Sequence, residues 1–100
     1  MTKDGNDRTK EYSIEDRIGR AALYEQLAEE CAELAHACLK ASRIIRRENP
    51  TPVTPEECGT MIVEEWSDVT LCAQELGLSS CNSIIKRKLN RWRERIEMIK

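Results

Sequence analysis

The stretch CGTMIVEEWSDVTLCAQEL, residues 58–76, decides how this chain folds. Its apolar positions Cys58, Met61, Ile62, Val69, Cys72 and Leu76 recur at helical spacing and make one face of an α-helix. Glu65 falls in the middle of that stripe, and Asp68, one turn on, stands at its edge. Two carboxylates are thereby carried toward the interior, where an unpaired charge costs several kcal/mol or is lost by protonation. A cation has to meet them.

The flanks of this stretch fix its ends. Thr54-Pro55-Glu56-Glu57 supplies an N-cap, a proline at the first helical position and a capping-box glutamate, while Gly77 suits a left-handed C-terminal cap. Upstream, Ser13 and Asp16 resemble a capping box that opens a first helix running to about Arg47, with Gly19 as its candidate interruption. Leu23, Leu27, Cys31, Leu34, Cys38, Ala41 and Ile45 are expected to form its apolar seam. Asn49-Pro50-Thr51-Pro52 ends it, because proline cannot continue a helix and biases its predecessor away from helical dihedrals. Downstream, Ser79 or Ser80 is expected to cap a third helix reaching the C-terminus, with Ile85, Leu89, Trp92, Ile96 and Ile99 buried on one face. No strand pattern competes, so the expected fold is all-α: an antiparallel hairpin of long helices with a third helix packed on it.

One hundred residues suit a single domain with a modest core, of a size that partner subunits often complete. A flexible polar tail is expected over residues 1–12 and one helical domain over 13–100. Sixteen basic against eighteen acidic residues leave a formal charge of −2, which does not suggest a nucleic-acid polymer or a polybasic membrane anchor as partner. The cations are nevertheless gathered at the C-terminal end, as Lys86, Arg87, Lys88, Arg91, Arg93, Arg95 and Lys100. Five cysteines, with no Cys-x-x-Cys and mostly at apolar helical positions, read as reduced core thiols and fit a cytoplasmic protein. Neither a signal peptide nor an apolar run of about 18 residues is found, so no membrane span is expected.

On a helical wheel Glu30 lies at the margin of the first helix's seam, Glu33 one step further out, and Glu29 well away from it. With the first two helices antiparallel, Glu30 and Glu33 (i, i+3) face Glu65 and Asp68 (also i, i+3), and four carboxylates converge. Magnesium, or manganese, is the natural counter-ion, since a hard dication takes carboxylate oxygens, keeps waters and bridges to phosphate. The plainer readings are a solvated acidic face for Glu29 to Glu33, an arginine-paired acid for Glu65 and an exposed charge for Asp68. Lys88, Arg91 and Arg95 line one flank of the third helix's apolar face and are candidates to grip phosphate, against the plainer reading of a solvated basic helix end. Trp66 and Trp92 read as core or interface, His36 as a surface histidine, and Tyr24 and Gln26 as neighbours of the acidic face.

Glu29-Glu30-Cys31-Ala32-Glu33 and Glu64-Glu65-Trp66-Ser67-Asp68 together resemble the Glu-Glu-x-x-Glu and Glu-x-x-Asp signature of the MazG-like all-α nucleoside triphosphate pyrophosphohydrolases. The likeness runs from about Leu23 to Ile96. Lys88-Leu89-Asn90-Arg91 is similar to that family's phosphate motif, with leucine where an aromatic is usual. The resemblance implies magnesium-dependent cleavage between the α- and β-phosphates of a nucleotide, with Glu30, Glu33, Glu65 and Asp68 as catalytic metal ligands and Glu29 as a further candidate. It also implies a helical bundle completed by oligomerisation, as a homo-dimer or homo-tetramer. The apolar flanks agree, for Ala28, Ala32, Ala35 and Leu39 on the first helix and Val63, Trp66 and Ala73 on the second lie outside the seams. The alternatives are a phosphoribosyl-ATP pyrophosphatase, with similar scaffold and acids, and a non-catalytic helical oligomerisation module whose charges only form salt bridges.

Overall fold

The computed structural model describes residues 12–47, 50 and 52–99. The expected polar tail before Tyr12, together with Asn49, Thr51 and Lys100, lies outside the described residues. Four helices follow in order, α1 (Ile14–Ile18), α2 (Arg20–Arg46), α3 (Pro55–Glu75) and α4 (Asn82–Ile99), with no strand among the described residues.

Local chemistry sets these bounds. The Ser13 hydroxyl accepts from the Asp16 N–H at 3.0 Å and starts α1. Gly19 then breaks the expected first helix in two, at a φ of +89° that a side chain would strain. At the head of α3 the capping box is complete: Thr54 Oγ1 accepts from the Glu57 N–H at 3.0 Å, and Glu57 Oε1 accepts from the Thr54 N–H at 2.8 Å. Its tail closes with Gly77 at φ +74°, where the Leu78 N–H reaches Ala73 O and the Gly77 N–H reaches Gln74 O, a Schellman motif. Neither Ser79 nor Ser80 starts α4; the Ile85 N–H donates to Cys81 O, so Cys81 takes the cap position.

Helices α2 and α3 form the antiparallel hairpin and hold the core. Cys58, at the start of α3, lies against Ala37 O late in α2, while the Arg20 guanidinium at the start of α2 donates to Leu76 O at the end of α3. Ile14 donates its N–H to Glu75 Oε1, which ties α1 to the same end. Leu23, Ala37, Cys58, Cys72 and Leu76 are buried, with Leu27, Leu34, Ala41, Ile44, Met61, Ile62 and Val69 half-buried around them.

The α3 stripe is the one expected; the α2 seam is not. Cys31, Cys38 and Ile45 are exposed, and the buried line runs through Leu23, Leu27, Glu30, Leu34, Ala37, Ala41 and Ile44 in alternating steps of four and three. That is the 3.5-residue repeat by which one helix keeps a seam against another. Glu30 is therefore a seam position and not its margin. Of the five expected core thiols only Cys58 and Cys72 are buried; Cys31, Cys38 and Cys81 face outward.

Helix α4 departs furthest from expectation. Every residue from Asn82 to Ile99 is exposed, including Ile85, Leu89, Ile96, Ile99 and Trp92, the last 65% exposed. The apolar face exists, but the described residues do not cover it. The radius of gyration is 19.0 Å, against about 13 Å for a compact chain of this length.

Candidate metal centre

The antiparallel register brings the middles of α2 and α3 together, and with them the two acids that occupy seam positions. Glu30, Glu65 and Asp68 each offer a carboxylate oxygen, all within 4.8 Å of one another. Glu30 and Glu65 are half-buried and Asp68 is exposed, so the group has one side in the seam and one side open. Glu30 is oriented by Gln26, whose Nε2 donates to Glu30 Oε2 at 2.7 Å. Tyr24, the other residue expected beside the acids, is exposed and lies by the Arg20 guanidinium, 5.6 Å from ring centre to Cζ.

Crowding of like charge is visible in Glu65. Loss of water pushes its carboxyl above the usual carboxylate range, and the charges of Asp68, Glu33, Glu30 and Glu64 push the same way. Among the described residues no lysine or arginine forms an ion pair with Glu30, Glu65 or Asp68. Beneath the group, burial and then the charges of Glu30 and Asp68 push the Cys72 thiol up, which keeps it protonated.

Glu33 is exposed and outside the three-carboxylate group, but it shares a cleft of about 250 Å³ with Glu65, lined also by His36, Ala37, Leu39, Lys40, Arg43 and Met61. Glu29 is exposed and takes no part in the group. Lys88, Arg91 and Arg95 are not brought to the carboxylates. With Trp92 they line a cleft of their own on α4. Trp66 is exposed and lines a separate depression with Val69, Ala73, Gln74 and Leu78.

The sequence reading missed Lys40 and Arg43. Their signal was present, because His36, Lys40 and Arg43 continue the face of Glu33 at helical intervals of three and four. No family model, curated protein or solved structure matches this chain.

Proposed function

We propose that this chain is a magnesium-dependent nucleotide pyrophosphohydrolase that cleaves the α–β phosphate bond of a nucleoside triphosphate, leaving a monophosphate and pyrophosphate. The observation that carries the reading is the meeting of Glu30, Glu65 and Asp68 within 4.8 Å at mid-seam, with no lysine or arginine among the described residues in an ion pair with them. Carboxylates at such a position weaken the hairpin unless something divalent joins them. The resemblance to the MazG-like signature supports the same reading.

The donor set fits a hard dication. It consists of oxygens only, and its open side at Asp68 leaves room for water and phosphate oxygens. Magnesium or manganese held there would polarise phosphate oxygens and orient the scissile bond. The residues of the chain do the rest. Gln26 donates to Oε2 of Glu30 and so fixes the orientation of that carboxylate. Glu33, on the cleft shared with Glu65, is suited to complete the ligand set or to take a proton from the attacking water.

Assembly belongs to this reading. Helix α3 carries Glu56, Glu57, Glu64, Glu65, Asp68 and Glu75 and no basic residue, whereas α4 carries Lys86, Arg87, Lys88, Arg91, Arg93 and Arg95 against Glu94 and Glu97. In a homo-dimer or homo-tetramer the apolar face of α4 is covered by another copy, and Lys88, Arg91 and Arg95 reach a phosphate chain they do not approach within one chain. The non-catalytic oligomerisation module is the second reading, favoured by the same uncovered face of α4. A panel of nucleoside triphosphates and phosphoribosyl-ATP, assayed for pyrophosphate release with magnesium and again with a chelator, separates the readings. Release that needs magnesium supports the enzyme and names its base; silence across the panel leaves the module.

A further inference from the structure

Resting on that reading of the carboxylates, we infer that the cleft running from Glu65 and Glu33 to Lys40 and Arg43 is a phosphoanhydride-binding groove, in which α2 of the same chain supplies the cations for the phosphate chain. Three observations converge. Glu33, His36, Lys40 and Arg43 lie at steps of three, four and three along one face of α2, and all four line the cleft with Glu65 and Met61 of α3. Lys40 and Arg43 are both half-buried there, unlike Arg46, which is exposed and lines a different cleft with Ile45 and Ile62. Finally, Glu30 and Glu33 lie N-terminal to Lys40 and Arg43 on α2, the direction in which the Cα–Cβ bonds of a helix tilt.

Charge along the groove thus changes sign within a short distance. Glu33 and Lys40 are seven residues apart, or about 10 Å at the helical rise of roughly 1.5 Å per residue. A polyanion with a divalent cation at one end meets both requirements at once, metal ligands at its coordinated phosphates and cations at its far ones. The cleft, about 250 Å³, is smaller than the roughly 300–1,000 Å³ usual for whole small-molecule sites. That size suits a phosphate chain with the nucleoside left outside. Cations near the end of a helix also relieve its dipole, but that effect is shared by Arg46 and does not require the groove.

The test is calorimetric titration of the full-length chain with inorganic pyrophosphate in the presence of magnesium, comparing the unmodified protein, the Lys40→Gln/Arg43→Gln double variant and Arg46→Gln. Helical content by circular dichroism confirms that each is folded. The double variant is expected to bind at least about tenfold more weakly, the scale of one lost charge-assisted hydrogen bond, while Arg46→Gln stays within about twofold of the unmodified chain. Equal affinity in all three, or equal weakening in Arg46→Gln, overturns the groove; if the unmodified chain still binds magnesium and cleaves a triphosphate, the metal centre stands without it. If the unmodified chain binds neither magnesium nor pyrophosphate, the groove and the proposed function fall together.

Discussion

The α2–α3 hairpin and α4 are both amphipathic, yet only the hairpin buries an apolar seam. Leu76, at the end of α3, is 3% exposed, and Leu89, on the apolar face of α4, is 41% exposed. The hairpin spends part of its covered seam on two glutamates, and α4 leaves leucine, isoleucine and tryptophan in water. Each region is costly alone, in opposite ways. The hairpin holds at mid-seam negative charge with which no described lysine or arginine forms an ion pair, and α4 holds an apolar face that the described residues leave exposed. An apolar stripe in a sequence therefore says that a face will be covered without saying by what.

The comparison breaks most visibly at Glu65. Glu65→Ala is expected to lower magnesium-dependent pyrophosphate release by more than about a hundredfold, since even outer partners of metal ligands contribute about 10–100-fold. The same change should leave the fold intact or more stable without metal, because it relieves crowding with Asp68, Glu33 and Glu30. Undiminished turnover would remove Glu65 from the site. Glu30→Ala is expected to cost more activity than Glu29→Ala, as only Glu30 occupies the seam; the reverse order would contradict the register.

Truncation of matched leucines sharpens the contrast. Leu76→Ala should destabilise by about 2–5 kcal/mol in urea unfolding, the range for a buried leucine. Leu89→Ala should cost less than about 0.5 kcal/mol in the dissociated chain, as for exposed positions. If the leucine of α4 matters as much under those conditions, α4 is covered within its own chain. At micromolar concentration, light scattering should give the mass of a dimer or tetramer, and Trp92→Glu should shift it toward one chain. A monodisperse single chain in an active preparation would rule the assembly out.

The smallest expected effect is on pH. The Glu65 carboxyl is raised in the folded state, so folding takes up protons as pH falls through that raised value toward the ordinary carboxylate range. Without metal, the ionised form is the destabilised one, and its cost is present above the raised value and relieved below it. Glu65→Gln should thus melt above the unmodified protein at neutral pH, with the gap closing on acidification. A gap that widened as pH fell would give Glu65 the opposite environment.

Much of the fold was legible because its signals are local. Thr54, Pro55 and Glu57 set the start of α3, Gly77 its end, and Gly19 the break before α2, each through bonds or dihedrals within a few residues. The phase of α2 was harder to read. Ala28, Cys31, Ala32, Ala35 and Cys38 are small and weakly apolar, so several faces of that helix look alike and the seam was read with Cys31 and Cys38 in place of Glu30 and Ala37. Glu65 was legible because it interrupts larger residues. Lys40 and Arg43 escaped notice because cations toward a helix C-terminus already have an ordinary explanation, and only the register of α3 places them in a cleft with Glu65. The cover of α4 could not be read at all, since it depends on a surface outside the helix.

Thermal melting with and without magnesium, on the unmodified chain and Glu65→Ala side by side, tests the central claim most directly. A cation that binds only the folded protein stabilises it by about 2.7 kcal/mol at a hundred times its dissociation constant, and each kcal/mol moves the midpoint of a domain this size by about 4–8 °C. The expected result at that concentration is a rise of about 10 °C or more for the unmodified chain and little or none for Glu65→Ala. An equal rise in both, or no rise in either, would contradict a metal centre built on Glu30, Glu65 and Asp68.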